Sequence, residues 1–239
     1  KSSDMAGIYP PVITIDGPSA SGKGAVSEFL SNKTGFNYLD SGLLYRLFGL
    51  EVLSQGISLS VLADDWSESK RLVECLEAKF VGSPKETKNR SFSQISIKGN
   101  SDARTEQAGA FASKIAKMPL VRRALLDLQR SFRERPGLIA DGRDMGSVVF
   151  PDALLKVFLT ASPSCRAERR HKQLKDKGID VSLDALETSL VDRDYHDSSR
   201  RASPLKFLED SMVIDSTDLD IGQVSYMIEK KMGDLLGEW

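Results

Sequence analysis

The sequence predicts an α/β fold with a mainly parallel sheet and helices on both faces, and three observations predict it. Short aliphatic or β-branched runs recur along the chain and stop at polar turns. Segments with apolar residues at helical spacing fill the intervals, and strands alternating with helices build parallel sheets. A glycine-rich loop stands where the first strand ends and the first helix begins.

Val12-Ile13-Thr14-Ile15 reads as a buried strand that stops at Asp16-Gly17. A helical pattern over about 24–32 follows the loop. The next helix is expected over 41–53, where Leu44, Leu47, Phe48 and Leu50 share a face, capped by Asp40 or Ser41. Leu138-Ile139-Ala140, residues 155–159 and Met212-Val213-Ile214 read as further short strands. Helices are expected over 120–133, 164–177, 182–195 and 221–236. One stretch breaks the rhythm. Residues 77–99 are polar and locally basic (Lys85, Lys88, Arg90, Lys98), and Phe92, Ile95 and Ile97 fit strand-like pieces better than a helix. Residues 60–118 are therefore read as an inserted subdomain with a small antiparallel piece and flanking helices.

At 239 residues the chain can bury one sizeable core. Its 33 Lys and Arg against 34 Asp and Glu leave a net charge of -1, so no whole-molecule field draws in nucleic acid or an acidic membrane. Cys75 and Cys165 lie far apart with no metal-ligand spacing, which suits a reducing cytoplasm. No apolar run nears the roughly 20 residues that span a bilayer, and residues 1–7 carry no apolar signal core. Anion binding must come from local arrangement.

The strongest local arrangement is Gly17-Pro18-Ser19-Ala20-Ser21-Gly22-Lys23-Gly24, with Ala25 next in the helix. The spacing G-x-x-x-x-G-K after a strand and before a helix is that of a P-loop. Glycines let successive N–H groups converge on one anion, and the helix adds its positive end. Lys23 can then reach the β and γ phosphates of a nucleoside triphosphate such as ATP. The position that holds Ser or Thr in the general pattern is Gly24 here. Mg²⁺ must then rest mainly on phosphate oxygens and water, with help from Ser21 or Asp16.

A P-loop specifies phosphate and leaves the reaction open. Ser41 and Tyr45 lie one turn apart near the start of the second helix, with Arg46 beside them. Asp141-Gly142-Arg143-Asp144 follows a buried strand, where open α/β sheets bind ligands. Arg166, Arg169 and Arg170 form one helical stripe, and Arg193, Asp197 and Arg200 another. Three arginine clusters beside a P-loop suit the grip of several phosphate groups. His171 and His196 neighbour neither Cys nor each other, and no catalytic histidine is expected. A phosphate-monoester acceptor needs no general base, because its second pKa of about 6 already leaves it mostly dianionic.

These residues resemble the bacterial cytidylate kinases, of the nucleoside monophosphate kinase group. The matching segments are residues 13–24 (ITIDGPSASGKG), 39–46 (LDSGLLYR), 104–107 (RTEQ), 137–152 (GLIADGRDMGSVVFPD), Arg166, Arg169 and Arg170, residues 193–201 and residues 213–217 (VIDST). The family's loop also reads GKG. The resemblance implies a P-loop kinase core over 8–59 and 119–239, a monophosphate-binding insert over 60–118 and a helical lid over about 163–178. It implies that ATP phosphorylates CMP or dCMP, with Mg²⁺, in a cytoplasmic monomer. By position, Ser113, Arg122 and Asp144 would read the cytosine, with Asp144 or Ser113 accepting from its N4 amino group. Arg193 and Asp197 would hold the ribose, and Arg46, Arg143 and Arg200 the acceptor phosphate, with Ser41 and Tyr45 lining the pocket. Lys23, Arg143, Arg166 and Arg170 would stabilise the transferring phosphoryl group. The rival readings are the same chemistry on UMP, which Asp144 should repel, and a slow nucleotide switch. No motif that would position an attacking water supports the switch.

Overall fold

The structure is a computed structural model, and it describes residues 9–81, 105–176, 178–198, 205 and 207–237. Five strands form one sheet in the order β2-β3-β1-β4-β5. They are β1 (Val12–Asp16), β2 (Asn37–Asp40), β3 (Leu138–Gly142), β4 (Leu155–Thr160) and β5 (Met212–Asp215). β1 pairs with β4 in parallel from Ile13 opposite Leu155, and β4 pairs with β5 in parallel from Val157 opposite Met212. All five residues of β1 and of β3 are buried, as strands covered on both faces must be. The α/β class expected from the sequence is the class observed.

The chain divides into two compact units. One comprises Lys1–Pro11 and Thr34–Ala140, the other Val12–Lys33 and Asp141–Trp239. The first holds helices α2 (Ser41–Ser54), α3 (Leu59–Asp64), α4 (Trp66–Val81), α5 (Glu106–Ile115) and α6 (Pro119–Ser131). Helix α2 packs on α4 and α5, and α6 packs on α3 and α4. Leu44, Phe48, Leu62, Leu72, Ile115 and Leu125 are fully buried among them. Local signals start these helices. Asp40 accepts from the Leu43 N–H at 2.8 Å, which assigns the α2 cap to Asp40 rather than Ser41. Ser58 and Thr105 cap α3 and α5 in the same way.

The second unit holds α1 (Lys23–Thr34), α7 (Pro163–Lys175), α8 (Leu183–Ser198) and α9 (Ile221–Leu236) with β1, β4 and β5. Its core is built from Ile13, Ile15, Leu30, Val157, Leu159, Ile228 and Met232. Ala167 and Leu174 of α7 meet Leu186 and Leu190 of α8 in a smaller apolar cluster, against which Ala20 also packs. A capping box of Asp220 and Gln223 opens α9.

Residues 77–81, the start of the polar stretch, belong to the end of helix α4. Asn37–Asp40 is a strand that the sequence reading did not identify. Phe92, Ile95 and Ile97, with most of the stretch read as antiparallel, lie outside the described residues.

Candidate active site

The loop after β1 has its shape because few other residues would fit it. A Cβ on Gly17 would stand 2.0 Å from the Leu159 carbonyl oxygen, so only glycine lets the chain leave the strand there. Ala20 and Gly22 then take positive φ angles of 59° and 95° and turn the backbone into α1. Lys23 Nζ donates to the Pro18 carbonyl at 3.0 Å, which holds the ammonium across the loop. The Ser21 hydroxyl is buried and has no hydrogen-bond partner among the described residues.

The loop is braced from α7 and from the residue that follows β5. Arg169 Nη1 donates to the Ser21 carbonyl at 3.1 Å and to Ser216 Oγ at 3.0 Å, and Nη2 reaches the Ser216 carbonyl. Ser216 Oγ, with one proton to give, lies within hydrogen-bond distance of both the Thr160 carbonyl at 2.9 Å and the Ser21 carbonyl at 3.1 Å. A carbonyl held outward keeps its peptide's N–H available to the inside of the loop.

Asp16 closes β1 and does a second job. Its two carboxylate oxygens accept from the N–H groups of Met145 and Gly146 at 2.9 and 2.8 Å. Those residues open a π-helical turn, Met145–Val149, immediately after Arg143-Asp144. Such turns interrupt regular geometry and frequently mark functional sites. Burial lifts the Asp16 carboxyl from 3.8 to about 6, against the lowering effect of the two N–H groups. Asp144, on the other side of the turn, is itself buried.

The arginines divide by what they touch. Arg143 donates through Nη2 to Ser19 Oγ at 2.7 Å and through Nε to Asp197 Oδ2 at 2.7 Å. Arg166 is buried at 3% exposure and fully engaged. Its Nε donates to the Ala161 carbonyl, its Nη1 to the Ser19 carbonyl at 3.2 Å, and its Nη2 pairs with Asp194 Oδ2 at 2.6 Å. Arg170 is half-buried and donates to Gln173 one turn on. Arg193 lies half-buried on α8, and Arg200 lies outside the described residues. Thus Lys23, Arg143, Arg166 and Asp197 gather around the P-loop, with Arg169 behind it.

In the first unit, Ser41 Oγ donates to Gln129 Oε1 at 3.1 Å. The Arg122 guanidinium carbon stands 5.9 Å from the centre of the Tyr45 ring and one of its nitrogens donates to the Ala116 carbonyl. The Arg46 guanidinium passes so close to Gly109 that a Cβ there would stand 3.0 Å from Nη2. Ser113 is half-buried on α5, one turn beyond Gly109. Ser41 and Arg122 thus each have a hydrogen-bond partner within their own unit, and Tyr45 has the Arg122 guanidinium over its ring.

The sequence reading missed Asp194, Gln129 and Gly109. Asp194 sits three residues before Asp197 on one helix face, a spacing visible in the sequence. Gln129 and Gly109 carry no local signal, because their partners are far off in the chain. Ser216 falls within the VIDST segment but had no role until its two carbonyl partners were seen.

Parallel strands, a P-loop at the end of a central strand and arginines bonded to that loop define a P-loop kinase fold. Comparison with known proteins narrows this. The family profile of cytidylate kinase matches residues 13–233. A cytidylate kinase of Nitrosomonas eutropha is 46% identical over 220 residues, covering 92% of this chain and 93% of that protein. One of Pseudomonas putida is 48% identical over 225 residues, covering 93% and 95%. This chain belongs to the cytidylate kinase family. Among solved structures, a gluconokinase from Sinorhizobium meliloti aligns with a TM-score of 0.47 at 16% identity, over 95% of this chain and 94% of that one.

Proposed function

We infer that this chain transfers the γ-phosphoryl group of ATP to CMP or dCMP, forming ADP and CDP or dCDP. The observation that carries the reading is Arg143-Asp144, which leaves β3 with its arginine bonded to P-loop Ser19 and its aspartate buried beside it. That arrangement supports a reading in which Arg143 serves the phosphates and the neighbouring Asp144 carboxylate serves the base.

An oxygen of the dianionic acceptor phosphate attacks the γ-phosphorus in line, and the bridging oxygen leaves on ADP. Lys23, Arg143 and the lid arginines Arg166 and Arg170 meet the charge that spreads over the transferring group, and Arg143 also holds the acceptor phosphate with Arg46 and Arg200. Asp197 and Arg193 take the sugar. Asp144, Ser113 and Arg122 take the base, with Ser41 and Tyr45 beside them. The N4 amino group of cytosine donates to a carboxylate, whereas uracil offers an oxygen there that Asp144 repels. Within the lid region, closure excludes water as a competing acceptor.

Mg²⁺ arriving with ATP would supply positive charge against the phosphates. Ser21 fits this ion, because its buried hydroxyl is without a partner among the described residues, whereas both Asp16 oxygens accept backbone N–H groups. No cluster of three His, Cys, Asp or Glu among the described residues would hold a metal by itself. No described helix is long and apolar enough to cross a membrane. We further propose residues 60–118 as the monophosphate-binding insert, and action in the cytoplasm as a monomer.

The test couples ADP formation to a panel of acceptors. CMP and dCMP should be phosphorylated at least ~10-fold more efficiently than UMP or AMP, since a mispaired buried carboxylate costs 1–3 kcal/mol. Preference for UMP or AMP would overturn the base assignment. Steady phosphate release with no acceptor present would favour a nucleotide switch instead.

A further inference from the structure

The ion pairs around Ser19 form a connected relay. Ser19 accepts twice, at its hydroxyl from Arg143 and at its carbonyl from Arg166. Each arginine carries a carboxylate of helix α8 on its far side, Asp197 at 2.7 Å for Arg143 and Asp194 at 2.6 Å for Arg166. Asp194 and Asp197 are three residues apart and share one face of the helix. Ser19, Arg166 and Asp197 are buried, and Arg143 and Asp194 are partly buried, so each pair has one member shielded from water. Arg166 also donates to the Ala161 carbonyl just before α7, which fixes its guanidinium against movement.

We propose that Ser19 and Asp194 are positioning residues that couple nucleotide binding at the P-loop to acceptor affinity at α8, through the relays Ser19–Arg143–Asp197 and Ser19–Arg166–Asp194. The proposal rests on the functional reading above, in which Asp197 and Arg193 of α8 hold the acceptor's sugar. A triphosphate arriving in the loop attracts Arg143 and reorients the Ser19 peptide, whose two acceptor atoms are both in use. Arg143 then loosens its hold on Asp197, and that carboxylate becomes available to a sugar hydroxyl. Arg166 and Asp194 meanwhile keep α8 in register with the loop. Two discrete bonding states of one arginine, biased by ligands at both ends, are the ingredients of a coupling free energy.

The experiment measures the dissociation constant of CMP by calorimetry, with and without a saturating non-hydrolysable ATP analogue and Mg²⁺. In the wild type the analogue should tighten CMP binding about fivefold or more, and CMP should tighten the analogue by the same factor. Asp194→Asn should bring that factor to within about twofold of unity, and Asp194→Glu should restore part of it. Asp194→Asn leaves the Arg166 charge less well paired, so Ser19→Ala serves as a second variant that strands no charge. It should also shrink the factor, with circular dichroism confirming the fold of each variant. A merely structural role would lower melting temperature and leave the coupling factor as in the wild type, which would overturn the relay. A wild type that phosphorylates CMP but binds the two ligands independently overturns the relay alone. A wild type that does not phosphorylate CMP overturns the functional reading, and the relay with it.

Discussion

At Ala20 two residue-scale effects oppose each other. Its φ of 59° costs an L-residue roughly 1–2 kcal/mol relative to glycine, yet its methyl group packs against the cluster of Ala167, Leu174, Leu186 and Leu190. Losing one buried methyl costs about 0.8 kcal/mol. Ala20→Gly should therefore change unfolding free energy by less than about 1 kcal/mol, whereas Ala20→Val, β-branched at a positive φ, should cost more than about 2 kcal/mol. Chemical denaturation of both variants checks the pair. Asp16 offers a second case, with a sign that is easily inverted. Its carboxyl sits at about 6 in the folded chain against an ordinary 3.8, so between those values the folded state binds more protons than the unfolded one. The stability this group contributes is complete below about pH 4 and lost as pH rises through about 6. At about 1.4 kcal/mol per pH unit the loss is roughly 3 kcal/mol. Asp16→Asn lacks that dependence, so its stability relative to wild type should improve by roughly 3 kcal/mol between pH 4 and pH 7 in urea titrations. A constant gap across that range would contradict the assignment.

Helix α7 shows at the scale of an element how one cationic stripe splits into different roles. Arg166, Arg169 and Arg170 look alike in the sequence, because spacing reports a shared face and not what lies opposite it. Arg166 is buried with Asp194, Ala161 and Ser19 as partners, and Arg169 braces the loop through Ser21 and Ser216. Arg170, half-buried, bonds one turn along its own helix. Arg166→Ala should accordingly cost about 3 kcal/mol or more in stability, since it removes a buried guanidinium on which the Asp194 carboxylate and the Ala161 and Ser19 carbonyls all rest. Arg170→Ala should cost under about 1 kcal/mol but lower turnover by about 100-fold or more, as removal of a transition-state cation does. Paired melting curves and initial rates separate the two. The same logic marks what was legible beforehand. Strands β1, β3, β4 and β5, and α9 to its last residue, follow from aliphatic runs and apolar period, which are local properties. Strand β2 was missed because Asn37-Tyr38-Leu39-Asp40 is short and bounded by polar residues, and its place in the sheet is a tertiary effect. The π-helical turn was missed for a related reason, since its start depends on Asp16, more than a hundred residues earlier.

At the scale of the whole molecule, the two phosphate groups in the reaction make unequal demands on the chain. The proposed triphosphate site, residues 17–25, is compact in sequence, and Arg169 with Ser216 braces it at the Ser21 carbonyl. Its chemistry was readable from a single motif. The proposed acceptor residues are scattered from Ser41 to Arg200; local spacing marked several of them as clusters, and their individual roles came from resemblance. This division predicts how damage to the loop will be felt. Lys23 donates to the Pro18 carbonyl of the loop, and it lies at the start of α1, away in sequence from every residue assigned to the base or sugar. Its charge matters most when charge builds on the γ-phosphoryl group, an interaction stronger in the transition state than in either bound ground state. Lys23→Ala should then lower kcat by about 100-fold or more while the dissociation constant of CMP alone changes less than about threefold. Rapid-quench turnover and calorimetry of CMP binding measure the two quantities separately. Equal losses in both would mean that the ammonium serves acceptor binding as well, and the division of labour between loop and acceptor residues would have to be redrawn.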